Sequence, residues 1–335
     1  MAWLRKIWRP FRWALTTIGL AAVVGGTLLA CPVRQPPELA SIHAGAVAID
    51  QSGLPELSRF LARDGTSLAY RVYPAAEAGT QKIAIVIHGS AGHSEGVNQI
   101  AKRLAAENFL VVAPDIRGHG SSGTRGDIGY YGQLDDDLAD LIAELRRHYL
   151  QAHFSLLGFS AGGGFALRAA SGKLGADFDR LVLLSPYLGY DAPSSRSAQT
   201  SADWAEADIP RILALIALRR FGISCCEALP AIAFAVPPGS EQHVTSRYSF
   251  RLLTNFAAPR DLDAAFHRLK MPTTIIAGGA DELMQSDKYA DMVRGIEPAI
   301  AVKILPGLGH MDMLHAPAAI DAIGTAVMGH DVAEK

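Results

Sequence analysis

Phe154-Ser155-Leu156-Leu157-Gly158-Phe159-Ser160-Ala161-Gly162-Gly163-Gly164 joins an apolar run to a glycine-rich one through a single serine. Phe154 to Leu157 reads as a short buried strand, and Gly163 to Ala170 reads as a helix. Between them sits Gly-x-Ser-x-Gly, the pattern of a tight strand-to-helix turn that holds a serine hydroxyl out over a sheet. The glycines suit such a turn because side chains would clash in its strained backbone. An inert serine in a glycine-rich packing turn is the alternative, and the strand directly before the motif argues against it.

Working outward, similar apolar runs end at turn residues: Ile83–Ile87 before His88-Gly89, Phe109–Ala113 before Pro114-Asp115, Leu181–Leu184 before Ser185-Pro186, Thr273–Ala277 before Gly278-Gly279, and Ala301–Leu305 before Pro306-Gly307. Runs that are apolar on both faces predict buried parallel strands. Helical patterns lie between them, for example Val97–Glu107 and Leu134–Tyr149. Leu57–Ala62 and Ser67–Tyr73 flank Asp64-Gly65 and predict an antiparallel hairpin. The expectation is an α/β fold with a mostly parallel eight-stranded sheet and helices on both faces. The alternation stops between about residues 187 and 268. That stretch carries helix-like pieces at Ile209–Phe221 and Ala228–Val236 and no clear strand, so a helical cap inserted over the strand ends is expected.

A serine hydroxyl needs a base, and the base needs an orienting carboxylate. Asp281 follows the strand Thr273–Ala277, and His310 follows Ala301–Leu305, so both can converge on Ser160. Glu282 is the alternative acid and His315 the alternative base, although His315 falls in the next helical pattern. Two backbone N–H groups are needed for an oxyanion. Ala161, after the nucleophile, and Ser90, in the loop after the third strand, are the candidates. His88 reads as a structural residue bonded to nearby backbone.

These pieces resemble the α/β-hydrolase superfamily, in its monoacylglycerol-lipase-like and lysophospholipase-like branch, also grouped as serine aminopeptidase S33-like. The resemblance rests on His88-Gly89-Ser90, on Pro114-Asp115-Ile116-Arg117-Gly118-His119-Gly120-Ser121-Ser122, on the elbow, on Gly278-Gly279-Ala280-Asp281 and on Gly309-His310. It implies an α/β-hydrolase fold with a cap, Ser160, Asp281 and His310 as triad, and Ser90 and Ala161 as oxyanion hole. It also implies cleavage of a carboxylic ester of acyl or lipid-like type through an acyl-enzyme. A peptidase or amidase of the S33 kind, and a non-catalytic membrane-bound scaffold, are the alternatives. In the resemblance the Asp-x-Arg-Gly-His-Gly loop is structural, so His119 carries no chemistry.

Composition narrows the partners. The formal charge is −2 over 335 residues, with no basic field for nucleic acid. No phosphate loop, dinucleotide fingerprint or His-Glu-x-x-His occurs, so no cofactor or metal is expected. The three cysteines, Cys31, Cys225 and Cys226, make no disulfide framework. Arg5, Lys6, Arg9 and Arg12 precede an uncharged run from Trp13 to Cys31. Residues 1–31 therefore read as a signal anchor, a cleaved signal peptide or a lipoprotein signal, with the bulk of the chain outside the cytoplasm. Residues 32–56 read as a linker, and 57–335 as the hydrolase domain.

Overall fold

A computed structural model describes residues 26–27, 29–196, 204–240, 243–296 and 299–329. Its centre is an eight-stranded sheet of β1 (Leu57–Leu61), β2 (Ser67–Tyr73), β3 (Lys82–Ile87), β4 (Leu110–Pro114), β5 (His153–Phe159), β6 (Phe178–Leu184), β10 (Thr273–Gly278) and β11 (Ala301–Leu305), in the spatial order β1-β2-β4-β3-β5-β6-β10-β11. The β1–β2 hairpin is antiparallel, and β2 joins β4 antiparallel; from β4 to β11 every pairing is parallel.

The pleat sends alternate side chains to two separate cores. Ile83, Ile85 and Ile87 of β3 face α3 (Gln133–His148) and α4 (Ala161–Ala170). Ala84 and Val86 face α2 (Asn98–Ala106) and α9 (Pro317–Met328). Both faces are thus covered, as a parallel sheet requires. Each fully buried isoleucine contributes roughly 1.5–3 kcal/mol. The last strand departs from the expected burial. Among the described residues β11 pairs only with β10, and Ala301, Lys303 and Ile304 are exposed along this edge.

The insertion after β6 is mixed rather than helical. α5 (Ile209–Arg220) forms as expected. The second helix-like piece is instead a strand, β8 (Pro230–Phe234), paired antiparallel with β7 (Ala205–Ala207) and β9 (Arg247–Ser249). A short apolar run satisfies either period, and here the two neighbouring strands decide. The short helices α6 (Phe250–Asn255) and α7 (Leu262–Arg268) lead back to the sheet, and α8 (Tyr289–Met292) follows β10.

The stretch expected as a linker also differs. It holds the helix α1 (Ala40–Ala48), and Val33, Ile42 and Ile49 are buried. Among the described residues no helix is long and apolar enough to cross a membrane. Most of Trp13–Cys31, on which the anchor expectation falls, lies outside the described residues.

Candidate active site

The Ser160 turn is held from three sides. Ser160 has φ 53° and ψ −120°, a region that L-residues rarely occupy. Its N–H donates to the Leu184 carbonyl, and its carbonyl accepts from the Tyr187 N–H, both at 2.9 Å. The end of β6 therefore clamps the turn. A Cβ on Gly158 would overlap the Gly162 carbonyl, and one on Gly162 would overlap the His88 carbonyl. Only glycine admits such close backbone approach, which explains the Gly-x-Ser-x-Gly spacing.

Asp281 and His310 come from neighbouring loops after β10 and β11. A Cβ on Gly278 would overlap the Leu308 carbonyl, and the Ala280 N–H donates to that same carbonyl at 2.9 Å. This contact lets Asp281 meet His310, whose Nδ1 lies 2.9 Å from Asp281 Oδ2. A carboxylate only accepts, so Nδ1 carries the proton and Nε2 keeps its lone pair. Asp281 Oδ1 accepts from the N–H groups of Leu283 and Met284, each at 2.9 Å. Burial pushes the Asp281 carboxyl up, but the imidazole and these bonds outweigh it and hold the group below the usual carboxylate range.

Ser160, His310 and Ser90 line one small cavity of about 20 Å³. Phe159 packs beside the imidazole, with ring centroids 4.8 Å apart. Ala161 opens α4, so its N–H lies outside the intrahelical ladder. Ser90 Oγ accepts from Trp204 Nε1 at 3.0 Å. All five sequence-predicted site residues thus gather at the carboxyl ends of the strands.

The alternatives fall elsewhere. Glu282 Oε2 accepts the His310 backbone N–H at 2.9 Å, so it braces the loop and leaves the ring to Asp281. His315 does not lie in a helix but between a 3₁₀ turn and α9, with Nε2 3.5 Å from Asp312. His88 donates from Nδ1 to the Gly89 carbonyl at 2.8 Å, and its Nε2 accepts the Ile116 N–H at 3.1 Å. Both nitrogens are engaged, and burial pushes its pKa down to about 4, which keeps the ring neutral. In the Asp-x-Arg-Gly-His-Gly loop, Arg117 binds Asp137 through two bonds of 2.8 and 2.7 Å. Asp115 accepts from the N–H groups of Ser94 and Ser121, each at 2.8 Å.

Two residues of the insertion at the site carry no sequence motif. Trp204 reaches Ser90, as above. Tyr248, on β9, donates its hydroxyl to His119 Nε2 at 2.6 Å and accepts the Ala91 N–H at 2.8 Å. Isolated aromatics in an irregular segment give no periodic signal, and no spacing links them to residues more than a hundred positions earlier.

The sheet order, the elbow and the histidine–aspartate pair at the strand ends define an α/β-hydrolase. Within that class, the profile of the serine aminopeptidase, S33, family matches residues 78–315, and the chain belongs to that family. It is 31% identical to human monoglyceride lipase over 154 residues, covering 45% of this chain and 49% of the lipase. It is 27% identical to 2-(acetamidomethylene)succinate hydrolase of Mesorhizobium japonicum over 246 residues, 70% of this chain and 83% of that enzyme. A soluble variant of Saccharomyces cerevisiae monoglyceride lipase, solved with a substrate analogue, superposes with a TM-score of 0.62 at 17% identity, covering 84% of this chain and 96% of that one. The fold and the monoacylglycerol-lipase-like branch are those the motifs implied.

Proposed function

We propose that this hydrolase cleaves carboxylic esters with apolar acyl groups through an acyl-enzyme on Ser160. The observation that carries this reading is the 2.9 Å His310–Asp281 pair beside the cavity that Ser160 lines. His310 Nε2 takes the Ser160 proton as Oγ attacks the acyl carbon. The backbone N–H groups of Ser90 and Ala161 hold the resulting oxyanion. The tetrahedral intermediate expels the alcohol, which receives the proton from His310. A water, deprotonated by the same nitrogen, then attacks the acyl-enzyme and releases the acid and free Ser160. Asp281 keeps the imidazole in the required tautomer throughout.

Ester over amide is supported by the lining of the site. Among the described residues that line the small cavity and the larger groove joining it, none is Asp, Glu, Lys or Arg. An aminoacyl substrate would present an ammonium group with no carboxylate among these residues to receive it. The monoglyceride lipase relatives are consistent with an apolar acyl group, while the Mesorhizobium hydrolase is named for a dicarboxylic substrate. An S33-type amidase is the second reading, favoured by the family name and by the acetamido group in the name of the Mesorhizobium enzyme's substrate. The test is Ser160→Ala, with turnover measured on esters of rising acyl length and on aminoacyl amides. The expected result is ester turnover in the parent, little amide turnover, and loss of labelling by a fluorophosphonate in the variant. A folded Ser160→Ala protein with near-parental ester turnover would sink the mechanism.

We also infer that residues 1–31 tether the chain to a membrane with the hydrolase domain on the extracytoplasmic side. The support is Arg5, Lys6, Arg9 and Arg12 ahead of an uncharged run. Leu29, near the end of that run, packs against the cluster of Leu215, Ala231 and Phe250, and Ile209, Leu213 and Phe221 at α5 are exposed. Protease added to intact spheroplasts should digest the domain; full protection there would refute the orientation.

A further inference from the structure

Helix α1 precedes residue 78, where the family match begins, yet it is built into the site. On one side it is tied to the insertion. The Leu39 N–H donates to the Ala235 carbonyl at 3.3 Å, and Gln35 Nε2 donates to the Phe234 carbonyl. On the other side it presses on the histidine loop, where a Cβ on Gly45 would overlap the Cβ of Met311, the residue after His310. Ile42, the one buried side chain of α1, lines the small cavity beside Ser160 and His310.

From that cavity a groove of about 320 Å³ runs outward, and the two share Ile42, Ser90, Phe159, Trp204 and Met311. Ala46, Val47 and Ile49 line it from α1 and the residue just after it, and Val97, Val236 and Val244 line it from other elements. The volume lies within the usual small-molecule range, roughly 300–1,000 Å³. Just over half of the described lining is aliphatic, with His43, His93 and Gln51 among the polar remainder and no Asp, Glu, Lys or Arg, so the group its apolar part suits is a hydrocarbon chain.

We propose that α1 is a specificity-determining wall of this groove, which takes an unbranched hydrocarbon acyl chain with its ester carbonyl at Ser160. The proposal rests on the ester-hydrolase reading above. Near Ile42 the wall meets the first carbons of the chain. Ala46 and Val47 meet carbons further out, so their size sets how many methylenes leave water. Gly45 fixes the depth of the wall, because any larger residue would lift α1 from Met311.

The test uses the full-length protein in detergent and the ratio of kcat/KM for p-nitrophenyl octanoate to that for the acetate. Ala46→Trp should lower this ratio about tenfold or more, since each methylene kept out of an apolar site is worth roughly fourfold. Ser41→Trp adds the same bulk to an exposed position of α1 that does not line the groove. It should leave the ratio within about twofold, as exposed substitutions away from a site usually do. An unchanged ratio in folded, fluorophosphonate-labelled Ala46→Trp overturns the proposal, and so does an equal shift in both variants. Should Ala46→Trp fail to fold, Val47→Trp carries the same expectation at a position 70% exposed. Turnover that persists in Ser160→Ala sinks the underlying Ser160 acyl-enzyme reading instead, whatever the ratio does.

Discussion

Around Ser160 the backbone has no spare room, whereas along α1 a single side chain is buried. At the elbow, Gly158, Gly162 and Gly164 each lack space for a Cβ, and both polar backbone groups of Ser160 are bonded to the end of β6 and the loop that follows it. The α1 wall is held by bonds from Gln35 and Leu39, by the Gly45–Met311 contact and by Ile42. The two regions face the same space with different tasks. Attack on a carbonyl needs atoms placed within fractions of an ångström, which only a crowded backbone secures. Excluding water from a hydrocarbon chain needs apolar area at the right distance and little more. Damage to the first region should therefore slow every substrate alike. Damage to the second should redistribute rate among substrates.

The largest effect that can break this contrast is at the nucleophile. Ser160→Ala should cut kcat on the order of 10⁶-fold for acetate and octanoate esters equally, as nucleophile removal does in other triads. Single-turnover assays on the folded variant check this, and a loss confined to one chain length would show that the two regions are not separate. Next comes the orienting acid. Asp281→Asn should cost on the order of 10⁴ in kcat, because an amide at that place favours the wrong imidazole tautomer. Glu282→Gln should cost far less, since Glu282 meets only the backbone N–H of His310. A larger loss in Glu282→Gln than in Asp281→Asn would reassign the acid.

The same division explains what could be seen in the sequence. The strands, the hairpin and the catalytic corner were legible because backbone constraint leaves residue types behind: glycines where a Cβ cannot fit, and apolar runs where a strand is buried on both faces. Asp281 and His310 could be placed because each follows such a run. The wall left no comparable trace. Ala40–Ala48 has no amphipathic stripe, and after three prolines it reads as connecting chain. Its helix forms against the insertion and Met311, which are far away in sequence. Ala228–Val236 is ambiguous for a related reason. An apolar run of that length fits a strand or a helix, and β7 and β9, only three residues each, gave no hairpin signal. The exposure of β11 leaves no mark in the sequence, because composition does not reveal which strand ends the sheet.

Tyr248 joins the two regions, and its removal should have the smallest effect of the series. It belongs to the insertion, yet its hydroxyl accepts the Ala91 N–H at 2.8 Å and donates to His119 Nε2 at 2.6 Å. His119 Nδ1 donates in turn to the Ile116 carbonyl at 3.1 Å, so the whole chain of bonds is satisfied with a neutral ring. Burial, and then the nearby His88, keep the His119 pKa well below its usual value, which preserves that state. Ala91 sits at φ 62°, a costly conformation for alanine, directly after Ser90. The tyrosine hydroxyl thus helps hold the loop that is proposed to supply one oxyanion donor. Tyr248→Phe strands a buried N–H and a buried imidazole nitrogen, a cost of about 1–3 kcal/mol in stability. If Ala91 relaxes, the Ser90 N–H moves off its mark, and kcat should fall about tenfold, less than the loss of an entire oxyanion donor. KM and the octanoate-to-acetate ratio should stay close to parental, because Tyr248 is not among the residues that line the acyl groove and the α1 wall is unchanged. A lower melting temperature with unchanged kcat would make Tyr248 a packing residue only. A shifted chain-length ratio would place it with the wall, and the division between chemistry and selectivity would then fail at its junction.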